Sequence, residues 1–466
     1  MNTDTVITRA HLVEGVHQIP VDVMYMSKYS VLVRFLNGNG YGNGSEFSKM
    51  VIRMNGEKAE LGRCRIESEP HIDGFSNRLH FLEDVYDFES LFFKNQVINL
   101  QSSFMNLPMV LAHKKDITPA FRNFTSDLNY DLSVYRNIFD RIDDEYHGEP
   151  EKIRQLVQKT IIETEGQKFM HYLDERLMEL NGLVKDFSKE EHEYHGFYFR
   201  KQLWEKILCA PFMVRTNLKP RGYAGDSEMM TMIYANDFRG DSTFGKLLHK
   251  HPIKHPAAQA VRNRRTLVAE MLPKVWKRYS AGGRERMRVL SVACGPAYEM
   301  QDVIFSEEEA DKYHFTLLDQ DRSALHEAAT KVTHIEETVG CKVKVDYLNE
   351  SVRTLIKTPK LQKVWGQFDF IYSMGLFDYL TPPVAKAVLG KLCQLLSPNG
   401  ELVVGNYHVS NPGRYYMEYW LDWVLYYRTE CDFVALLEDI PSVKSEVVFE
   451  DTCIQMFLHV KNKMAS

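Results

Sequence analysis

The sequence predicts an α/β protein in three parts: a doubly wound parallel sheet over residues 276–466, a helical domain over 116–275 and a small β-rich barrel over 1–115. Three observations carry the division. From about residue 285, short apolar runs alternate with helical stretches, the pattern of parallel strands joined by right-handed crossovers. Between 116 and 275 the apolar residues recur at helical spacing. Before 115 the runs are short and punctuated by glycine and asparagine.

In the first part, Val31-Leu32-Val33-Arg34-Phe35-Leu36 reads as a strand, followed by a turn cluster from Asn37 to Gly44. Asn55-Gly56 stands between Met50–Met54 and Ala59–Leu61, a strong hairpin signal. Arg63–Ile66 and Leu79–Leu82 add strands. In the second part, Ile153, Leu156, Val157, Ile161 and Thr164 follow Pro150 at helical spacing. Ser188 and Glu191 form a capping box ahead of Phe197, Phe199, Leu203 and Ile207, and Pro256–Leu272 reads as an amphipathic helix. In the third part, strands are expected at Arg288–Ala293, Phe315–Leu318, Lys342–Val345, Phe368–Tyr372 and Glu401–Val404. Val447–Phe449 and Ile454–Val460 close the series as an antiparallel pair.

Composition narrows the function. With 57 basic and 63 acidic residues the chain carries a net charge of −6, so no nucleic-acid or anionic-membrane partner is expected. No run of 18 apolar residues marks a membrane span, and the start lacks the basic and apolar regions of a signal peptide. The seven cysteines are scattered without a CxxC pair, which argues against disulfides and a zinc ribbon and suits a cytoplasmic location.

In an open α/β sheet, ligands bind beyond the carboxyl ends of the strands, where the strand order reverses. The first such end reads Val292-Ala293-Cys294-Gly295-Pro296-Ala297-Tyr298-Glu299, whose small residues let a ligand approach the turn. Asp319 ends the second strand 24 positions after Gly295, where a carboxylate accepts from ribose hydroxyls, with Gln320 beside it. Asp346 is expected at the end of the third strand, against the adenine edge, with Tyr347 and Leu348 beside it. The fourth strand ends in Tyr372-Ser373-Met374-Gly375, and Ser373 and Met374 complete the expected cofactor residues from the sheet.

The ACGP stretch resembles the first motif of class I S-adenosylmethionine (SAM)-dependent methyltransferases, with Ser291 at the usual acidic position and Ala293 and Ala297 in place of the outer glycines. The resemblance implies a Rossmann-like sheet and SAM as cofactor. NAD-binding domains share the geometry, but the closing hairpin and the Asp319-to-Asp346 spacing favour the methyltransferase. Further blocks are similar to bacterial proteins of 3-hydroxypalmitic acid methyl ester biosynthesis. They are Lys219-Pro220-Arg221-Gly222-Tyr223-Ala224-Gly225-Asp226, Val261–Arg265, Gly375–Leu380, Gly405-Asn406-Tyr407-His408 and Trp420-x-Asp422-Trp423. That resemblance implies methylation of a fatty-acid carboxylate to give a diffusible quorum-sensing signal. The first part resembles a PilZ-like barrel without the RxxxR and DxSxxG nucleotide-binding pattern, so a scaffold or homodimerisation role is expected there rather than cyclic-di-GMP binding.

Methyl transfer requires alignment of an acceptor with the methyl carbon and exclusion of water. A carboxylate acceptor needs a cationic clamp and an apolar tunnel; an alcohol needs a base, most simply histidine. His408 and Tyr407, after the fifth strand, and Arg221 are the expected catalytic residues, with Tyr223 as a lid over the cofactor. Arg414 and Arg428 are alternative carboxylate clamps, and Tyr415, Tyr416, Tyr419, Trp420, Trp423, Tyr426 and Tyr427 line an acyl pocket in the same reading. The acceptor is therefore expected to be a small, lipid-like molecule; another O- or N-acceptor, or a SAM- or nucleotide-binding sensor without turnover, is the alternative. His192 with His195, and His249, His251 and His255, lack zinc-site patterns, and no metal is expected.

Overall fold

The structure is a computed structural model that describes residues 9–15, 17–26, 30–36, 41–54, 57–67, 76–83, 114–440 and 443–462. The chain divides into two compact units, and the boundaries differ from those expected at 115 and 275. One unit comprises Met1–Cys209, Met213–Ala224 and Glu418–Asp422; the other comprises Ala210–Phe212, Gly225–Met417 and Trp423–Ser466.

The first unit opens with β1 (Arg9–Glu14), β2 (His17–Met26), β3 (Ser30–Phe35), β4 (Glu46–Phe47), β5 (Lys49–Met54), β6 (Glu57–Leu61), β7 (Cys64–Ile66) and β8 (Ser76–Phe81). They form one antiparallel sheet in the order β4-β7-β8-β3-β2-β1-β5-β6. Alternation sets its faces: Val31, Val33 and Phe35 of β3 are buried while Arg34 is exposed. The β5–β6 hairpin pairs Met54 with Glu57, as the flanking runs predict. Its Asn55-Gly56 turn, and residues 37–40 of the Asn37–Gly44 cluster, lie outside the described residues.

Helices follow: α1 (Pro119–Glu145), α2 (Glu151–Glu163), α3 (Glu165–Val184), α4 (Lys189–Ile207) and α5 (Pro211–Leu218). The Ser188–Glu191 capping box opens α4, with Glu191 N–H on Ser188 Oγ at 3.2 Å and Ser188 N–H on Glu191 Oε2 at 2.7 Å. His195 is buried in α4 and holds a structural place. Its Nε2 accepts from the Thr118 N–H at 3.2 Å, so Nδ1 carries the proton and donates to the Glu191 carbonyl at 2.9 Å. Burial lowers its pKa and keeps the ring neutral.

The second unit begins with α6 (Ser227–Ala235), α7 (Thr243–Lys254) and α8 (Pro256–Ser280). Then come β9 (Met287–Val292), α9 (Glu299–Val303), α10 (Glu307–Lys312), β10 (Tyr313–Leu318), α11 (Arg322–Val339), β11 (Lys344–Leu348), α12 (Val352–Lys357) and α13 (Leu361–Trp365). The remainder is β12 (Phe368–Ser373), α14 (Pro382–Gln394), β13 (Leu396–Tyr407), α15 (Arg414–Trp420, of which Glu418–Trp420 belong to the first unit), α16 (Glu430–Ala435), β14 (Val443–Phe449) and β15 (Gln455–Asn462).

The sheet order is β11-β10-β9-β12-β13-β15-β14, parallel as far as β13 and antiparallel at β15 and β14. It reverses direction between β9 and β12, the place where open α/β sheets hold ligands. Helices cover both faces. Val268, Leu272 and Val275 of α8 pack with Leu325, Ala328 and Val332 of α11 in one apolar cluster. Leu355 of α12, Leu361 of α13, Val388, Leu389 and Leu392 of α14 and Phe433 of α16 belong to the other. Among the described residues no helix is long and apolar enough to cross a membrane.

A boundary at 276 would cut α8, and the reason it belongs wholly to this unit lies in four consecutive side chains. Arg262 donates to the carbonyls of Ile233 and Ile253 at 3.1 and 3.0 Å. Asn263 donates to Glu450 Oε2 at 2.6 Å, Arg264 to the Met374 carbonyl at 3.2 Å, and Arg265 to both oxygens of Asp302 at 2.5 and 2.7 Å.

Glu450 closes the β14–β15 loop. Beyond Asn263, its carboxylate accepts from the N–H groups of Thr452, Ile454 and Gln455 at 2.8, 3.0 and 3.1 Å. Burial alone would raise its pKa; the bonds from Thr452, Asn263 and Gln455 outweigh that and hold it below its ordinary value. A depressed carboxyl stabilises the fold above the ordinary glutamate range and loses that contribution as pH falls through the folded value. Glu450→Gln should therefore cost about 1.5–3 kcal/mol at pH 7, the worth of hydrogen bonds to a charged group. In thermal melts from pH 7 to pH 3, the gap between variant and wild type should narrow as the pH falls; a constant gap would refute the ionised loop.

Candidate functional site

The turn after β9 is left-handed at alternate residues: φ is +54° at Ala293, +52° at Gly295 and +48° at Ala297. These are the positions at which the methyltransferase resemblance expects glycine, so two alanines here adopt a backbone that disfavours a Cβ. A Cβ built on Gly295 would meet nothing within 4 Å, so the space above the turn is open. Pro296 and Cys294 are buried beneath it; burial pushes the Cys294 thiol well up, and its Sγ lies 3.4 Å from the Gly295 carbonyl.

Asp319, directly after β10, is only 5% exposed. Its Oδ2 accepts from the Gly295 N–H and its Oδ1 from the Asp321 N–H, both at 2.9 Å. Burial raises the pKa of this carboxyl against the pull of those N–H groups. Asn349, one residue past β11, donates to the carbonyls of Asp319 and Gln320, both at 3.0 Å, and accepts from Arg322 Nε at 2.9 Å. Asn349 was not among the expected site residues; nothing in its own segment announces a bond 29 or 30 positions away.

Other expected residues fall elsewhere. Asp346 does not end the third strand: β11 runs on to Leu348, and the Asp346 carboxylate, 63% exposed, lies 2.8 Å from His314 Nε2. Tyr347 is exposed and Leu348 half-buried at the true strand end. Ser373 is buried, with its hydroxyl on the Val292 carbonyl at 2.9 Å, tying β12 to β9; Met374 supplies a carbonyl to Arg264 and Gln455.

Tyr407 is buried and donates its hydroxyl to the Ala257 carbonyl at 2.8 Å, so the phenol is engaged in holding β13 to the start of α8. His408 has Nδ1 2.6 Å from Ser410 Oγ and Nε2 3.1 Å from Glu430 Oε2, with both ring nitrogens engaged. Arg428 is no free clamp. It is buried and donates to the carbonyls of Phe377 and Leu380, at 2.8 and 2.5 Å, and to Asn406 Oδ1. Arg414 stacks over Tyr415 and Tyr427 at 5.3 and 5.2 Å. Arg221 and Tyr223 belong to the first unit, as do Tyr419 and Trp420 of the aromatic run, whereas Tyr415, Tyr416, Trp423, Tyr426 and Tyr427 belong to the second. Within the second unit the His249 Nδ1 accepts from the Phe212 N–H at 3.1 Å and His251 Nδ1 lies 2.7 Å from the Tyr416 hydroxyl. Among the described residues no group of three His, Cys, Asp or Glu side chains is placed to hold a metal.

Sequence reasoning gave Asp378 and Glu299 no site role, and it named Gly225, Tyr379 and Trp423 without foreseeing that they meet. Asp378, after β12, is buried with Oδ1 on the Tyr407 N–H at 2.7 Å. Burial pushes its carboxyl up to about 7, against that N–H and the charges of Arg264 and Arg428. Glu299, the first residue of α9, is 9% exposed and accepts from the Tyr372 hydroxyl at 2.7 Å. Gly225 meets the aromatic pair formed by Trp423 Nε1 donating to the Tyr379 hydroxyl at 2.8 Å; a Cβ on Gly225 would lie 2.7 Å from the Trp423 ring. Three of the resemblance blocks thus converge on one point.

Comparison with known proteins gives fold likenesses at low identity. No family model matches the chain, and no curated protein matches it. Among solved structures, a possible exported protein from Bordetella parapertussis is 14% identical, covering 65% of this chain and 97% of its own, with a TM-score of 0.40. Magnesium protoporphyrin IX methyltransferase (ChlM) from Synechocystis PCC 6803 with bound SAH is 12% identical over 45% of this chain and 88% of its own, with a TM-score of 0.32. The N-methyltransferase NodS from Bradyrhizobium japonicum WM9, in complex with S-adenosyl-L-homocysteine, is 14% identical over 45% and 90%, with a TM-score of 0.31. Likenesses of this degree assign no reaction to this chain.

The left-handed turn is directly testable. A Cβ in this region costs about 1–2 kcal/mol, while the extra freedom of an unfolded glycine offsets about 0.4–1 kcal/mol. Ala293→Gly should leave stability in urea unchanged or raised by up to about 1 kcal/mol, and Gly295→Ala should lower it by a similar amount. The opposite ordering would mean that the turn has another conformation.

Proposed function

We propose that the second unit is an enzyme that binds SAM at the strand-order reversal and transfers its methyl group to a small-molecule acceptor. The observation that carries this reading is the buried Asp319 carboxylate locked onto the Gly295 N–H, beside a left-handed turn with open space above it. The donor set fits the group. After accepting one N–H on each oxygen, the Asp319 carboxylate keeps lone pairs for ribose hydroxyls, and Asn349 fixes the Asp319–Gln320 backbone that presents them. Tyr347 and Leu348 supply apolar surface for the adenine at the strand end. Bound SAM supplies an electrophilic methyl carbon on a sulfonium. The chain's part is to orient the acceptor and exclude water.

The acceptor proposed is the carboxylate of a 3-hydroxy fatty acid, giving a methyl ester signal. Two things support it. Three of the five blocks that resemble the ester-synthesis proteins meet at Gly225, Tyr379 and Trp423. A carboxylate, moreover, is ionised at neutral pH and needs no base, so the engagement of His408 and Tyr407 is no obstacle. The β-sheet of the first unit takes a scaffold or dimerisation role in the same reading.

Calorimetric titration of SAM, alone and after addition of 3-hydroxypalmitate, tests both levels. Wild-type protein should bind SAM, more tightly with the fatty acid, and Asp319→Ala should weaken binding at least about tenfold. Binding indifferent to the lipid would remove this acceptor and keep the methyltransferase; no SAM binding by the wild type would remove the function.

A further inference from the structure

Helix α2 of the first unit has no buried face. None of its 13 residues is buried: Ile153 is 43% and Leu156 65% exposed, and Val157 and Ile161 are half-buried. Every other described helix of at least 12 residues buries part of its apolar face. Ile153, Leu156, Val157 and Ile161 fall at i, i+3, i+4 and i+8, so they form one stripe. A helix of this length is marginal by itself in water and takes most of its stability from tertiary packing. At its C-terminal end, Thr164 Oγ1 donates to the Thr160 carbonyl at 2.8 Å and Gln167 Nε2 to the Ile162 carbonyl at 3.1 Å. Those bonds hold the end of the helix and leave Ile153 and Leu156 in water.

The charges beside the stripe point to what covers it. At 100° per residue, Lys152 and Glu163 lie within about 20° of each other around the helix, on one flank of the stripe, while Arg154 lies on the other flank. Two copies of α2 laid antiparallel about a two-fold axis at Val157 set Ile153 of each against Ile161 of the other, with Leu156 and Val157 at the centre. Like flanks then meet, and Lys152 of one copy stands at the level of Glu163 of the other, once at each end of the seam. A parallel pair would join opposite flanks and set Lys152 beside Arg154, cation against cation.

We infer that the α2 stripe is covered by the same stripe of a second copy of this chain, the two helices pairing antiparallel. The inference deepens the dimerisation reading of the first unit, on which it rests, and moves the contact from the sheet to a helix. Two helices this short bury less than about 1,200 Å², the range of reversible contacts, so the dimer dissociates on dilution.

Sedimentation velocity on the full chain is the test. The wild type should be dimeric at about 100 μM and dissociate on dilution toward ~0.1 μM. Leu156→Lys, at an exposed position, should weaken self-association at least about thirtyfold. Lys152→Glu, which sets carboxylate against carboxylate at both ends, should weaken it about three- to tenfold, and adding Glu163→Lys should recover most of that loss. A wild type that is monomeric at the higher concentration overturns the pairing and the dimerisation reading together. Association untouched by Leu156→Lys overturns the helix contact and leaves dimerisation to the sheet. Failure of the double reversal to recover the loss overturns the antiparallel arrangement. Should Leu156→Lys fail to fold, Leu156→Ala reads the same contact through a loss of about tenfold.

Discussion

The second unit depends on a single turn of helix. Successive side chains leave an α-helix about 100° apart, so Arg262, Asn263, Arg264 and Arg265 point in four directions, and each finds a partner from a different part of the chain. Arg262 holds the carbonyl ends of α6 and α7, Asn263 the β14–β15 loop, Arg264 the turn after β12 and Arg265 the helix after the β9 turn. A helix bonded on every side cannot shift without breaking several polar contacts, each with a charged donor or acceptor and hence individually strong. The carboxyl ends of the sheet's parallel strands are framed by this helix as much as by the strands themselves.

At that end, order is imposed by polar groups that hold backbone. Asp319 fixes the Gly295 turn, Asn349 fixes the Asp319–Gln320 backbone, Asp378 fixes the Tyr407 N–H and Arg428 fixes the Phe377–Leu380 turn to Asn406. Each of these side chains links one strand end to the next. The result is a mouth whose backbone is set in advance, the condition under which binding energy is not consumed in ordering loops.

Much of this was legible in the sequence, and the limits are physical. Strands β9, β10, β12 and β13 announce themselves because they are buried on both faces and so read as continuous apolar runs. Asp319 stands out because a charge directly after such a run has little reason to be there except to bond something. β11 is different: it is an edge strand without a single buried residue, so no apolar run marks its end, and the sequence reading ends it two residues too early, at Asp346 instead of Leu348. Tyr407 and Arg428 looked free because their acceptors are main-chain carbonyls 150 and about 50 positions away, which no local pattern encodes. The same holds for α8: its amphipathic pattern shows a helix, but only its distant partners show which unit owns it.

The sheet order has a consequence for how the protein is made. β15 lies between β13 and β14 and pairs with both, so residues 443–449 have no place in the sheet until residues 455–462 arrive. As the chain leaves the ribosome, β9 to β13 can assemble first, with the outer edge of β13 presenting the backbone groups that later pair with β15. Such an open edge recruits strands from neighbouring chains. The interval between the emergence of β13 and that of β15 is therefore the period of greatest risk of mispairing, and a slow stretch of translation between residues 407 and 455 would lengthen it.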